Sequence, residues 1–268
     1  MPAETKSSVL TRRLTQRYQH FRVVRSAAYR LGKALGGKPR TLIGELATGS
    51  PIVLTSEDPA HRHIYFYGDY EPDVTAVFRS RVKPGHIVID VGANAGYFAL
   101  LSRDLGAAVH AFEPNPAMAA LMRRSLALRG GGVTVLEQAC SRQEGVLPFY
   151  LGEGGNMATS SLDPDADGAV SATIDVPVTT LDTYVQRTGI VPNLVKVDIE
   201  RHEADFVEGA LETLVSIRPD LIVEMTDPHA LTALLSIGYR ASRITLDGLI
   251  PTTDLGPDGW ANMLLTVD

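Results

Sequence analysis

Residues 86–98 read HIVIDVGANAGYF, and this stretch decides how the chain folds. Its first half is mostly apolar and predicts a buried β-strand over His86–Val91. Gly92 and Gly96 follow directly, and an apolar helix is predicted over Tyr97–Leu105. Glycines at a strand-to-helix turn let the backbone approach a ligand closely and leave the first N–H groups of the helix available to bind it. The stretch therefore has the pattern of a nucleotide-binding turn.

Short apolar strands and helical patterns go on alternating along the chain, which predicts an α/β protein with a parallel sheet covered on both faces. Further strands are predicted at Ala108–Glu113, Val133–Gln138, Leu194–Ile199, Leu221–Met225 and Asn262–Val267. Further helices are predicted at Pro116–Leu128, Ala204–Ile217 and His229–Ser236. The segment Gly152–Gly168 is rich in Gly, Ser, Asp and Pro and is predicted to be a loop. We expect an N-terminal extension, residues 1–60, followed by one domain, residues 61–268.

The N-terminal extension differs in charge from the rest of the chain. Residues 1–40 carry ten Lys or Arg residues and one acidic residue, Glu4, whereas the whole chain has a net charge of -6. Apolar residues at helical spacing between Leu10 and Leu31 predict a basic amphipathic helix. Such a helix can lie on the acidic domain, form a homodimer contact, or meet a membrane surface or an anionic substrate. The sequence leaves these roles open.

The cysteine content and the hydropathy of the chain indicate its cellular location. Cys140 is the single cysteine, which excludes an intrachain disulfide framework and a CxxC metal site. No apolar run reaches the roughly 18 residues that a membrane span needs, and the N-terminus lacks the apolar core of a secretory signal. We therefore expect a cytoplasmic protein with no transmembrane segment, a small-molecule substrate and no nucleic-acid partner.

Two acidic residues distinguish the cofactors that use such a turn. A dinucleotide loop reads G-x-G-x-x-G, whereas this chain reads Asp-x-Gly-x-x-x-Gly from Asp90. A carboxylate at this strand end is a poor neighbour for a pyrophosphate but a good one for the ammonium group of S-adenosylmethionine (SAM). Glu113 ends the next strand, 23 residues after Asp90, where it can accept hydrogen bonds from both ribose hydroxyls. The pattern favours SAM, with a nicotinamide-dependent oxidoreductase as the alternative.

The third predicted strand ends at Gln138–Ala139, beside the same crevice. The Gln138 amide can both donate to and accept from an adenine edge. The interpretation of Gln138 as an ordinary surface residue is equally supported. The residues expected to bind the cofactor are Asp90, Gly92, Ala93, Asn94, Gly96, Glu113, Pro114, Gln138 and Ala139.

Charged side chains end the fourth predicted strand. Period-two alternation places Lys196, Asp198 and Glu200 on one face. Three charges on a face that should be buried indicate a functional site. His202 follows, and an unperturbed pKa of about 6.5 suits it to be a general base; a solvated residue at a helix start is an equal reading. Glu200 is the alternative base, and Asp198 is expected to support the cofactor or orient the base.

Two further positions are candidates for binding a methyl acceptor. Glu224 ends the fifth predicted strand and can accept hydrogen bonds from acceptor hydroxyls. Asn156, in the loop Gly152–Gly168, is expected to contribute to an acceptor pocket or a lid, although the composition is equally that of a surface loop.

Metal ligands are present without a metal-binding pattern. Asp198, Glu224, Asp227 and His229 are residue types that can ligate a divalent ion such as Mg²⁺. Their spacing matches no known signature, so we predict no metal.

An ordered series of motifs runs from Gly68 to Glu224. The segments are Gly68-Asp69-Tyr70-Glu71-Pro72, Lys83-Pro84-Gly85, Asp90 to Phe98, Ala111-Phe112-Glu113-Pro114, Thr180-Leu181-Asp182, Val195 to Glu200, Glu203, Gly209-Ala210, Arg218-Pro219 and Glu224. Together they resemble the FkbM family of SAM-dependent methyltransferases. An ordered set of this kind is far more specific than any single motif.

The resemblance implies a Rossmann-like class I methyltransferase fold, with a seven-stranded, mostly parallel sheet whose last strand is antiparallel. It implies methyl transfer, most often to a hydroxyl oxygen of a sugar or secondary metabolite, by the domain 61–268, with Glu71 in the substrate site. Nitrogen or carboxylate acceptors, and a non-catalytic SAM-binding module, stay open as alternatives.

The chain departs from the family at one position. The family pattern usually has Glu-Gly-x-Glu where this chain reads Glu200-Arg201-His202-Glu203. If the family turn needs a positive φ at its glycine, Arg201 must bear backbone strain there.

Overall fold

A computed structural model of the chain describes residues 40–152, 160–164 and 170–267. The predicted basic helix and Asn156 lie outside these residues. The strands are β1 Thr41–Glu45, β2 Pro51–Thr55, β3 Ile87–Val91, β4 Ala108–Phe112, β5 Val133–Leu136, β6 Ala139–Cys140, β7 Gly145–Gly152, β8 Val170–Thr179, β9 Leu194–Val197, β10 Asp220–Met225, β11 Arg240–Thr245, β12 Gly248–Thr252 and β13 Ala261–Thr266. The helices are α1 Pro59–Tyr67, α2 Pro72–Arg81, α3 Tyr97–Asp104, α4 Pro116–Ala127, α5 Leu181–Thr188, α6 Glu203–Glu208, α7 Leu211–Ser216 and α8 Pro228–Ser236.

The described residues form a main sheet of eight strands in the order β12-β11-β13-β10-β9-β3-β4-β5. Strands β10, β9, β3, β4 and β5 pair in parallel, and the last strand, β13, is antiparallel to both of its neighbours. The α/β fold and its antiparallel last strand are therefore confirmed. The expected count of seven is wrong, because the chain turns back at Leu246–Asp247 and adds β12 to the edge beside β11. Gly248 starts that strand with a φ of 120°, a conformation that glycine adopts readily.

Within the described residues, each predicted strand and helix corresponds to an observed one, with one break. The helix predicted over Ala204–Ile217 is two helices, α6 and α7. At the break, a Cβ on Gly209 would lie 2.1 Å from the Ser141 carbonyl oxygen, so only glycine fits. The Asp182 carboxylate then accepts hydrogen bonds from the backbone N–H groups of Glu212 and Thr213, at 2.9 and 2.7 Å. This carboxylate caps a new helix start.

Alternation along the central strands divides the core between the two faces of the sheet. Val88 packs in one apolar cluster, while Ile89 and Val91 pack in the other. Asp90 shares the Val88 face, and its register partner on β9 is Lys196. The strand ends therefore bring buried charged groups of adjacent strands together at one edge.

Residues 40–60 correct the expectation of a helical extension, because they form a β-hairpin and the first residues of α1. The hairpin buries Leu46, Ile52 and Leu54 in the same cluster as Val88. Its β2 backbone is also tied to α4, since Val53 N–H donates to Ser125 Oγ at 2.8 Å. This part of the chain is thus packed into the main core.

A second, three-stranded sheet of order β6-β8-β7 was not predicted. It covers the end of the cleft beside β5, where Phe149, on β7, is buried. Among the described helices, none has both the length and the apolar character that a bilayer crossing requires.

Candidate active site

The turn between β3 and α3 is built around two glycines. Gly92 has a φ of 79°, and a Cβ there would lie 1.8 Å from the Asp198 carbonyl oxygen. Gly96 has a φ of 90°, and a Cβ there would lie 2.6 Å from Met122 Cγ. Because neither position accepts a side chain, the turn lies close to the end of β9 and to α4. This close approach forms the floor of a cleft at the carboxyl ends of the strands.

Glu113 braces this turn from the end of β4. Its Oε2 accepts the Asn94 N–H at 2.6 Å and its Oε1 accepts the Asn115 N–H at 2.7 Å. Burial raises the pKa of Glu113 to about 7, against the opposing effect of the two amide hydrogen bonds. Each carboxylate oxygen can accept more than one hydrogen bond. Glu113 can therefore hold the loop and still accept from ligand hydroxyls.

Asp90 is a buried carboxylate with no hydrogen bond of regular geometry. It is 1% exposed, and neither of its side-chain oxygens makes such a bond with a described residue. Burial raises its pKa to about 6, although the ammonium of Lys196 and a weak interaction with the Ala99 backbone act in the opposite direction. An unpaired buried acid is costly to a fold, which indicates a site for a ligand that carries hydrogen-bond donors or positive charge.

One cavity, with an empty volume of about 1160 Å³ including space open to solvent, brings the predicted site residues together. Those that line it are Glu71, Asp90, Gly92, Ala93, Asn94, Glu113, Pro114, Gln138, Ala139, Asp198, Glu200, His202 and Glu224. Gly96 supports the turn from behind and does not line the cavity. Predicted cofactor, catalytic and acceptor candidates from five strand ends therefore meet in one place.

Several lining residues were missed by the sequence analysis. His61 and Ile64 come from α1, and Tyr70 stands beside Glu71 before α2. Tyr70 belongs to a quoted motif and was within reach of prediction. His61 belongs to none, and only the three-dimensional structure shows that it faces the turn.

The opposite end of the cavity is rich in carboxyl groups around one lysine. Lys196 Nζ lies 2.7 Å from Asp198 Oδ2. Burial alone would lower the pKa of Lys196, but the charges of Asp198, Asp90 and Glu71 raise it above its ordinary value. Burial raises the pKa of Asp198, but the charge of Lys196 together with hydrogen bonds from Glu224 and Lys196 outweighs burial, so the pKa of that carboxyl is lowered. These two groups are therefore a charged pair at neutral pH.

The pKa values of Glu224 and Glu71 are raised, unlike that of Asp198. Burial, followed by the charge of Asp198 and a hydrogen bond with it, raises the pKa of Glu224 to about 10. Burial raises the pKa of Glu71 to about 7, with Lys196 opposing. Glu224 is therefore protonated at neutral pH and can donate a hydrogen bond to Asp198.

Three of these carboxyl groups have a geometry that can hold a metal ion. Oxygens of Asp198, Glu200 and Glu224 lie within 4.8 Å of one another. Two of them, Asp198 and Glu224, were among the four possible metal ligands considered from the sequence. Another of those four, Asp227, instead caps α8 by accepting the His229 N–H at 2.7 Å. The Lys196 ammonium already supplies a positive charge to this cluster.

His202 lies on the cavity wall with both ring nitrogens engaged. Its Nε2 is 2.9 Å from Ser141 Oγ, and its Nδ1 is 3.4 Å from Asp205 Oδ2. Burial lowers the pKa of His202, while Asp205 and Asp163 act in the opposite direction. The ring is therefore held in place, and it must break one of these contacts to take a proton from a ligand.

The backbone is left-handed at Glu200 and Arg201, where this chain departs from the family pattern. Glu200 has a φ of 46° and Arg201 a φ of 65°. Ser161, from the short described segment 160–164, donates to the Glu200 carbonyl oxygen at 2.5 Å. The turn thus keeps a conformation that suits glycine even though an arginine occupies it.

A second groove adjoins the cavity and shares Glu200 and Glu224 with it. Its other lining residues include Arg201, Asp227 and Trp260. Trp260 is the only tryptophan of the chain and is 48% exposed. The cavity therefore opens at its acidic end onto a groove with a flat aromatic side chain.

A parallel sheet with an antiparallel last strand, joined to an Asp-Gly turn and an acidic second strand end, defines a methyltransferase of the Rossmann-like class. The model of the FkbM methyltransferase domain matches residues 90–240, more than half of the chain. The chain therefore belongs to the FkbM methyltransferase family.

Two curated relatives are similar to this chain. The hexuronic acid methyltransferase AglP of Haloferax volcanii is 29% identical over 181 residues, covering 65% of this chain and 72% of that protein. The 31-O-demethyl-FK506 methyltransferase FkbM of Streptomyces tacrolimicus is 28% identical over 161 residues, covering 48% of this chain and 60% of that protein.

Among solved structures, an FkbM methyltransferase from Methylobacillus flagellatus matches with a TM-score of 0.50 and 19% identity. The match covers 75% of this chain and 49% of that one. At this identity it supports the fold alone.

Proposed function

We propose that the protein transfers a methyl group from SAM to a hydroxyl oxygen of a small molecule, such as a sugar, a saccharide or a secondary metabolite. The observation that carries this proposal is that one cavity has two chemically different ends. One end presents the buried Asp90 and the bracing Glu113. The other end presents the carboxyl groups around Lys196.

The residues at the first end fit SAM. Asp90 would accept charge-assisted hydrogen bonds from the methionine ammonium group, which removes the cost of an unpaired buried acid. Glu113 would accept from the ribose hydroxyls, and Gln138 would bind the adenine edge beside Pro114 and Ala139. Bound SAM supplies an electrophilic methyl group on its sulfonium. The protein must then hold the acceptor in line and exclude water.

The proton of an acceptor hydroxyl needs a base at the second end, and a positioned base contributes about 10²- to 10⁴-fold. We propose Glu200 for this role because it lies where the cavity and the groove meet. Asp198 is occupied by Lys196 and Glu224, so it positions its neighbours. His202 is the second candidate. Single-turnover rates of Glu200→Gln and His202→Ala test the assignment. Glu200→Gln is expected to lose at least tenfold; a loss confined to His202→Ala would assign the base to His202, and the assignment fails if neither variant loses tenfold.

Charge at the second end favours a neutral acceptor over a carboxylate. An acceptor carboxylate inside the cavity would lie close to Asp198 and Glu200, and the Lys196 ammonium beside them is already paired with Asp198. Hydroxyl groups can instead donate to these carboxylates. The groove adds Trp260, whose flat face suits the apolar face of a sugar ring. An amine acceptor is the alternative that the same carboxylates support.

The names of the relatives support transfer to an oxygen-rich acceptor. One is described as acting on a hexuronic acid and the other on 31-O-demethyl-FK506. The acidic acceptor end described here suggests that the acceptor of this protein lacks the carboxylate of a hexuronic acid.

Ligand binding tests the cofactor part of the proposal. Calorimetry with SAM, S-adenosylhomocysteine (SAH) and NAD is expected to show binding of the first two alone. Binding of NAD in preference to SAH would instead support the oxidoreductase alternative.

Fluorescence of the single tryptophan tests the acceptor part. The SAH-bound protein is titrated with matched neutral and uronate glycosides, followed by SAH release assays with SAM. A neutral glycoside is expected to change Trp260 emission and to be methylated on oxygen, whereas its uronate counterpart is not. Methylation of an amine or a carboxylate in place of a hydroxyl would contradict the proposal.

A further inference from the structure

His61 connects the N-terminal hairpin to the proposed cofactor turn. It lies on α1, is 1% exposed, and lines the main cavity. Its position precedes the family-matched residues 90–240. No motif in the sequence marks it, yet its ring contacts the centre of the turn.

The contacts of His61 fix the protonation of its ring. Asn94 Oδ1 accepts the Ala95 N–H at 2.7 Å, so the Asn94 atom that faces this amide is the oxygen. His61 Nε2 lies 2.9 Å from the same oxygen and must therefore donate to it. His61 Nδ1 is then free of a proton, and it accepts the Thr55 N–H at 3.3 Å. Both ring nitrogens are satisfied only in the neutral form.

Asn94 needs such support because its backbone is left-handed, with a φ of 51°. Its N–H donates to Glu113 at 2.6 Å, so its conformation also fixes where that carboxylate points. Hydrogen bonds therefore run from Thr55 at the end of β2, through His61 and Asn94, to Glu113.

We propose that His61 is a positioning residue for the cofactor site, holding Asn94 in its left-handed conformation so that the turn is formed before the cofactor arrives. The proposal rests on the proposed use of SAM for its ligand, but the pre-formed turn is a property of the free protein. Through the Thr55–His61 hydrogen bond, the β1–β2 hairpin would then support ligand binding in addition to packing in the core.

The charged surroundings of His61 are consistent with a neutral ring. Burial lowers its pKa, and the Asp58 carboxylate is the charged group that opposes this effect. Asp58 is itself occupied as the cap of α1, accepting the Ala60 and His61 N–H groups at 2.7 and 3.1 Å. On the side of the turn the ring meets the neutral amide of Asn94, and on the side of the hairpin the Thr55 N–H. A protonated ring would direct Nδ1–H at that N–H, placing two donors face to face.

Three variants test the role. His61→Leu removes both hydrogen bonds, His61→Gln keeps a side-chain donor toward Asn94, and His63→Leu is the matched control on the exposed side of the same helix. SAH affinity is measured by calorimetry, and hydrogen exchange of peptides covering residues 90–98 is measured without ligand. Thermal unfolding of each variant identifies general loss of stability.

His61→Leu is expected to weaken SAH binding about tenfold and to speed exchange over residues 90–98, a magnitude typical of losing a buried hydrogen bond. His61→Gln is expected to recover most of the affinity, and His63→Leu to match the wild type. In an Asn94→Ala background, His61→Leu is expected to cost little further affinity, although it still lowers the melting temperature. This non-additivity is what a purely structural role would not produce.

The outcomes separate this inference from the proposed function. If the wild type binds no SAH, the cofactor proposal fails, while the exchange measurement still decides the role of His61. If His61→Leu binds SAH within twofold of the wild type and leaves exchange over residues 90–98 unchanged, the positioning role is wrong.

Discussion

Replacing Arg201 by glycine is expected to stabilise the protein. The φ of 65° at Arg201 costs an L-residue about 1–2 kcal/mol relative to the right-handed region. Glycine removes this cost, but it also destabilises the folded state by about 0.4–1 kcal/mol because it gives the unfolded chain more conformational freedom. With the middle of each range, the net gain is about 0.8 kcal/mol. For a domain of this size each kcal/mol is worth about 2–4 °C, so the melting temperature should rise by about 1–4 °C.

Arg201→Ala is the matched control because it removes the side chain and keeps the strain. The Arg201 N–H, which hydrogen-bonds to the Glu203 carboxylate, is retained in both variants. Calorimetric unfolding of the free protein is the assay, with SAH affinity as the check that the site is intact. The glycine variant should melt above the alanine variant. Equal melting temperatures would mean that the strain of the left-handed turn is no larger than the entropic cost of glycine, and the reasoning would be refuted.

Four other outcomes are expected. Asp90→Asn should weaken SAH binding at least thirtyfold while raising the melting temperature of the free protein, because it removes an unpaired buried charge; unchanged affinity would remove Asp90 from the site. Gln138→Ala should weaken SAH binding about fivefold, as loss of one hydrogen bond predicts; unchanged calorimetric affinity would contradict this. SAH affinity should fall as the pH is lowered from 8 to 6, because Glu113 and Asp90, with pKa values of about 7 and 6, lose the charge that accepts ligand donors; a flat profile would count against both. Methyl transfer should survive EDTA, since Lys196 already neutralises part of the carboxylate cluster; loss of activity restored by Mg²⁺ would assign a metal to it.

Local motifs made the Asp90 end of the cavity predictable. Asp90, Gly92 and Gly96 lie within seven residues, and Glu113 lies at the end of the next strand. In a parallel sheet, consecutive strand ends of this kind meet at one edge. No contact between distant segments had to be known, so chain order alone placed these residues together.

Contacts between distant segments were not predictable in the same way. His61 and Asn94 are 33 residues apart, and His202 and Ser141 are 61 apart. The hairpin of residues 41–55 was overlooked because the basic, helical pattern before it was extended to residue 60. Gly209 was read as part of one helix because its close approach to Ser141 leaves no trace in the helical periodicity.

The carboxyl groups of the cavity should make stability and ligand binding respond to pH in opposite directions. Burial raises the pKa values of Asp90, Glu71, Glu113 and Glu224 above those of an unfolded chain. A raised carboxyl pKa means that the folded state holds its protons more tightly, so these four groups stabilise the free protein more as the pH falls from 8 toward 6.5. The opposite effect comes from three histidines whose pKa is lowered by burial, His61, His110 and His202. SAH binding should weaken over the same interval, because it requires the ionised carboxylates. Burying four such groups in one cavity costs stability that a ligand with positive charge and many hydrogen-bond donors would offset. Under the proposed function, SAM would supply these groups at one end and a hydroxyl-rich acceptor at the other.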